Sequence, residues 1–590
     1  MYMMSGRPLQ GQTLDDVRAI LLEQVDKLRN GEFDESLVEA AKANFKLDLQ
    51  KAMADNNSRA NFYVDAFVNG IDWADEVASI AEFDKVTKAD IIALANKYLT
   101  DTNYAAVYKR KGQDPNELKI AKPELTPIVM NRDKSSAFLV DIQNAKVDDI
   151  EPVFVDFDRD MTRLSAKQDV PVLYIPNRTN DIFRLIYVYD TGSFADSLLQ
   201  VAPSLLNLLV GTPDMSPEQI RNEFYKLACK FYYSVSGERS YAVITGLSEN
   251  MEKAAALYEN ILANATISPE AYQSFIGRYE KSRADAKHNQ QSNFSALQNY
   301  VIYGPKNPTT TRLTPEQLKN IKPEEFINAL RKLNDYEQSV IYWGNAPADK
   351  VLATVNETHP LAKELKTFPK VEKFPKLKTK GLKFFISPYE AKQLYMVGYS
   401  NNGDKFDAAA EPMRSLYNEY FGGSMNSIVF QEMRESRSLA YSAWAGMSGA
   451  AKKDRPYTYT ATIATQNDKL IDALIAFEEI VNQMPRSESA FELAKQGIDA
   501  RLRTERILND DIAFQYLRMR DLGYNYDNRK DLFEILPTAT LSQLEDYQRR
   551  NVAGRQYRVG ILAEPDNIDT NMLENVGDVI ILTQEDIFGY

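Results

Sequence analysis

Arg434 and Tyr441 stand seven positions apart in "FGGSMNSIVFQEMRESRSLAYSAWAG", which runs from Phe421 to Gly446. A guanidinium offers a fixed fork of donors to a carbonyl or carboxylate. A phenol donates one hydrogen bond while staying neutral at pH 7. Together they suit the stabilisation of negative charge developing on an oxygen. Gly422 and Gly423, just ahead of them, would allow a sharp turn and a close backbone approach. The bland alternative is a solvated helix-end cation and a half-buried strand aromatic; the spacing alone does not choose. Other reactive residue types are scarce. Cys229 is the single cysteine, so no intrachain disulfide can form, and in "LACKFYYSV" it reads as a small buried hydrophobe. His288 and His359 are the only histidines, both in polar surroundings where a solvent-facing side chain is expected. Two isolated histidines do not make a zinc centre of the usual three protein ligands, so no metal site is expected in this chain.

The elements that must position Arg434 and Tyr441 belong to a repeat. Segments starting at Leu14, Asn250 and Asp468 each pair an amphipathic helix with a polar break and a long charged helix. Segments starting at Val86, Ile321 and Ala539 each read as a helix followed by an apolar strand, with Thr87-x-x-Asp90 and Lys322-x-x-Glu325 at helix starts. The two later copies also have a first half: strand, turn, strand, long helix, Gly-containing break, short helix, then alternating strand material. The fold class is α+β, with antiparallel or mixed sheets and helices packed on one face. The earliest copy has only its second half, so its strand in "NYAAVYKRKG" would lack sheet partners. A Pro- and charge-containing connector follows it, and "KELKTFPKVEKFPKLKTK" separates the complete copies. "GMSGAAKKDRPY" reads as a mobile hairpin.

With 590 residues, at about 150 per domain, several domains are expected. The net charge of −13 argues against nucleic acid or an anionic membrane surface as main partner. No apolar run reaches membrane-span length, and "MYMMSGRPLQ" has no signal-peptide core. The composition is that of a soluble protein, and the near absence of cysteine fits a bacterial-type cytoplasm or periplasm without choosing between them.

A repeated α+β unit with this segment in its last copy resembles the pitrilysin/insulinase zinc metallopeptidases, of processing-peptidase type. Arg434, Leu439, Ala440 and Tyr441 match that family's C-terminal substrate-binding signature position by position. The resemblance implies four units in two halves around a chamber. On it, residues 1–112 are the C-terminal half of a second unit, 113–164 an inter-half linker and 165–348 a third unit. Residues 349–380 are a basic linker, 381–566 the fourth unit and 567–590 a tail. The first unit, which carries the inverted zinc motif H-x-x-E-H, has no counterpart here. Ala202, Leu205 and Leu206 fall where the third unit would need His, Glu and His, and Glu280 alone cannot hold zinc. Zinc is thus expected in an N-terminal portion outside this chain. The implied function is the C-terminal portion of a zinc endopeptidase, inactive by itself, in which Arg434 and Tyr441 serve catalysis and, with Gly422 and Gly423, grip a peptide substrate. The implied partners are that peptide and a zinc-bearing portion or subunit. The alternative is a non-catalytic peptide-binding or scaffold subunit.

Overall fold

The structure is a computed structural model, and it describes all residues except 1, 10, 111, 113–135, 147 and 369–373. The chain forms two compact bodies, one of residues 1–46 and 55–151, the other of 47–54 and 152–590.

The smaller body is helical. Thr13 caps Leu14–Asn30 and Thr87 caps Lys88–Tyr98, each through a reciprocal bond with an aspartate three positions on. The strand expected in "NYAAVYKRKG" does not form: residues 104–110 have no ladder partner, and Val107 is 94% exposed. A strand exists by pairing, and among the described residues this body holds no other strand to pair with. Of the connector expected over 113–164, residues 113–135 and 147 lie outside the described residues. Its described part contains a helix, Ala137–Asn144, and then Val155, Phe157 and Met161, which are buried in the larger body.

The larger body holds two six-stranded mixed sheets. The first is built from β1 (Thr162–Ser165), β2 (Pro171–Pro176), β3 (Ile182–Tyr189), β4 (Cys229–Val235), β5 (Ser240–Leu247) and β6 (Ser339–Gly344), in the order β1-β2-β6-β3-β5-β4. The second is built from β7 (Lys383–Ser387), β8 (Gln393–Ser400), β9 (Ser442–Ser448), β10 (Thr458–Gln466), β11 (Arg558–Leu562) and β12 (Asp578–Ile581), in the order β12-β7-β11-β8-β10-β9. Five strands thus repeat in the same order. Only β2–β6 in the first sheet, and β7–β11 and β12–β7 in the second, pair in parallel. Residues 567–590, expected as a tail, instead supply β12 and the helix Gln584–Phe588, whose Ile587 and Phe588 are buried.

The α+β class holds, but the helices do not stay on one face. One face of each sheet carries the helical layer of its own half, with Phe183, Leu185, Tyr187 and Ile244 in one core and Ile386, Met396, Ala461 and Ile463 in the other. The opposite face is closed by a helix from the other half. Gln290–Tyr303 places Phe294, Leu297 and Val301 against Phe385, Val397 and Leu562 of the second sheet. Asp511–Leu522 lies over the first sheet, with Phe514 edge-on to Tyr241 and Asp510 2.7 Å from Arg184. Strands with apolar residues on both faces need this double cover.

His359, expected to face solvent, is 1% exposed. It ends the helix Ala348–Thr358, stacks on Tyr187 at 3.9 Å, and sets Nδ1 2.6 Å from Glu259. Its sequence neighbours are polar, but the helix C-terminus points it into the core, where a carboxylate satisfies it. His288 is exposed as expected. The expected mobile hairpin is tied down: Lys452 and Arg455 pair with Glu238, and the Lys453 amide donates to the Asp521 carbonyl.

Candidate functional site at the β9 corner

The segment opening at Phe421 folds as two wide π-helical turns, Glu419–Gly423 and Gln431–Ser436, around the short helical turn Ile428–Phe430. Such turns re-aim side chains within a helix. Arg434 lies in the second turn. Met433 is fully buried beneath it, and the Met433 carbonyl accepts from the amides of both Leu439 and Ala440, at 2.8 and 3.0 Å. That closure brings the chain back past Arg434 and delivers Tyr441 to the start of β9, where its amide donates to Ala464.

The structure therefore brings Arg434 and Tyr441 together. The guanidinium carbon stands 5.3 Å from the Tyr441 ring centre and 5.0 Å from that of Phe430. A guanidinium held between rings keeps its hydrogen-bonding edge free and loses conformational freedom. The Arg434 side chain is 41% exposed and Tyr441 is 67% exposed. Glu435 lies 3.6 Å from Arg434, a loose pair at this exposure. Arg437, next along, bonds Glu479 at 2.8 Å and also pairs with Glu432; the Glu479 bond holds its guanidinium further above its already high range. It braces the loop rather than facing outward with Arg434. The arrangement presents one rigid cation and one neutral donor on an open surface, which suits a peptide carbonyl or a carboxylate.

Gly422 and Gly423 have different surroundings. Gly422 is buried, and a β-carbon there would collide with the Ala445 carbonyl of β9, so its absence lets the helix lie against the strand. Gly423 is exposed. Neither has positive φ, so the expected special turn is a close approach instead. One turn earlier, the Asn418 amide donates to the Met447 carbonyl and accepts from the Met447 amide, both at 2.9 Å. It pairs with the edge strand β9 as a neighbouring strand would. The first sheet repeats the device: Asn207, in the helix Ala202–Leu209, bonds the Tyr233 amide and carbonyl of the edge strand β4. Sequence reasoning passed over Phe430, Asn418 and Asn207. Phe430 was findable, four positions before Arg434 on one helical face; the asparagines were not, since their partners are distant strands.

Ala202, Leu205 and Leu206 are buried and apolar, and Glu280 is exposed on a long helix. These residues do not fit zinc. Among the described residues, no group of three or more His, Cys, Asp or Glu is placed to hold a metal. Burial pushes the Cys229 thiol up to about 12, leaving it protonated and inert at neutral pH. No helix of the described residues is long and apolar enough to cross a membrane.

Residues 338–498, which include this corner, match the family Peptidase M16 inactive domain. Comparison with curated proteins returns no match. Among solved structures, a peptidase M16 inactive domain from Pseudomonas fluorescens superposes with a TM-score of 0.56 at 16% identity, covering 68% of this chain and 98% of that one. The periplasmic protease PqqL from Escherichia coli gives 0.55 at 13% identity, over 93% of this chain and 63% of that one. The ferredoxin protease FusC, solved with Arabidopsis ferredoxin, gives 0.55 at 12% identity, over 92% and 62%. The chain thus spans under two thirds of the two proteases it resembles. The chain shares the α+β fold of these structures, and over residues 338–498 it is similar to a peptidase-related family. The chain carries a peptidase M16 inactive domain.

Proposed function

We propose that this chain is the substrate-gripping portion of a zinc endopeptidase and acts with a zinc-bearing portion supplied outside these residues. The observation that carries the reading is the adjacency of Arg434 and Tyr441, held on one exposed corner by the Met433 carbonyl and Phe430. Arg434 binds a backbone carbonyl or carboxylate of the peptide. Tyr441 donates its hydroxyl proton as a hydrogen bond to the oxygen on which charge develops during hydrolysis. Gly422 serves this indirectly, by seating the preceding helix on β9. The larger body forms one wall of a chamber around the peptide. FusC, a ferredoxin protease solved in complex with a ferredoxin, makes a protein substrate worth testing beside peptides.

The test is complementation. The isolated chain is expected to bind no stoichiometric zinc and to cleave no peptide. Adding a zinc-bearing N-terminal portion should restore cleavage, and Tyr441→Phe should lower kcat by about 10²–10³. Chelator-sensitive cleavage by the chain alone would contradict the division of labour. A Tyr441→Phe complex as active as the wild type would favour the scaffold reading.

A further inference from the structure

Tyr441 reaches its position through a loop whose backbone is fixed at every residue before it. Ser438 has φ of +51°, a left-handed conformation unfavourable for serine. Its carbonyl accepts from Lys469 Nζ at 2.9 Å. The Leu439 carbonyl accepts from Thr465 Oγ1 at 2.5 Å, and the Leu439 and Ala440 amides are held by Met433. The Tyr441 amide then joins Ala464 at 2.9 Å. Thr465 is 2% exposed. It sits near the end of β10, and among the described residues its hydroxyl is the one side-chain donor to the Leu439 carbonyl. Strain at Ser438 persists only because flanking contacts over-determine it, and Thr465 is the buried side-chain donor among them.

We infer that Thr465 is a positioning residue: its hydroxyl, by anchoring the Leu439 carbonyl, fixes the approach of Tyr441 to Arg434. The inference rests on the function proposed for Tyr441, but its geometry is testable in the chain alone. Thr465→Val keeps the side-chain shape and removes the donor, leaving a backbone carbonyl unpaired. Without the anchor, the left-handed Ser438 relaxes and the Tyr441 hydroxyl is no longer held in one place.

Two measurements test this. In the isolated chain, hydrogen exchange of the Leu439, Ala440 and Tyr441 amides should quicken about tenfold in Thr465→Val, with Ala461 and Ile463 in the same strand unchanged. Thr465→Ser should restore protection. In the complex assembled with a zinc-bearing portion, Thr465→Val should lower kcat about tenfold with KM within about twofold. It should add nothing in a Tyr441→Phe background, because the two residues act as one. Unchanged exchange, or exchange that quickens along all of β10, overturns the positioning role. So does a Thr465→Val loss that persists undiminished without the Tyr441 hydroxyl, which is the signature of mere destabilisation. Quickened exchange beside a Tyr441→Phe complex of full activity overturns the function assigned to Tyr441, and with it the catalytic meaning of Thr465.

Discussion

The two sheets of the larger body share a frame and differ at one corner. β2, β6, β3, β5 and β4 run in the same order as β7, β11, β8, β10 and β9. In each, an asparagine from the preceding helix pairs with the edge strand, Asn207 with Tyr233 and Asn418 with Met447. Aligning the halves on those strand residues sets Ile220 opposite Arg434 and Leu227 opposite Tyr441. Ile220 is buried and Leu227 packs on the first core, whereas Arg434 and Tyr441 face outward. Backbone pairing and the asparagine lock therefore specify the frame. They leave the turn before the edge strand free to close over the core or to present polar groups, and only the second half presents them.

The comparison breaks most sharply by exchanging those residues. Ile220→Arg should cost about 3–5 kcal/mol in urea unfolding, because it buries an unpaired cation. Arg434→Ile should change stability by no more than about 0.5 kcal/mol, while peptide cleavage by the assembled complex falls steeply. Equal losses of stability would mean the two corners are alike after all. Next, Asn207→Leu and Asn418→Leu should each cost about 2 kcal/mol, since two strand groups lose their partner. A clear inequality between them would show that the lock is not a shared device.

A smaller effect separates the halves by pH. Asp527, in the helical layer of the second half, is fully buried. Burial alone would raise its carboxyl, but bonds from Arg529 and the Val155 amide hold it below the usual carboxylate range. Its folded pKa is depressed, so its stabilisation is complete above the unfolded value near about 4 and fades as pH falls through the folded one. Asp527→Asn should therefore lower stability at pH 7, by about 1–2 kcal/mol for the charge-assisted bonds it loses, and flatten the acid limb of the stability profile. An unaltered acid limb would show that another group sets it. The smallest effect is expected at Cys229, which aligns with Ala443 of β9. Cys229→Ala should cost about 1 kcal/mol or less, and the native thiol should not react with a thiol reagent at pH 7.

Local pattern revealed the repeated strand and helix segments, the helix starts at Thr87 and Lys322, and the buried Cys229, because period, capping and apolar context act over a few residues. It also revealed the Arg434–Tyr441 pair as a candidate, on residue type and spacing. It failed where partners are remote. His359 sits among polar neighbours in sequence yet faces Glu259 across the core. Residues 104–110 have strand composition but no strand beside them. The supposed tail completes a sheet through β12.

The sequence by itself determined the α+β alternation, the internal repeat, the scarcity of histidine and cysteine and the identity of the two polar groups. These follow from composition and short-range periodicity. Tertiary structure alone decided that Phe430 and the Met433 carbonyl bring those groups together. It also decided that Gly422 serves β9 rather than a special turn, that each half closes the other's sheet, and that Thr465 stands behind Tyr441. Each depends on a contact between segments far apart in the chain, and no local preference encodes which distant surface an exposed edge or a buried polar group will meet.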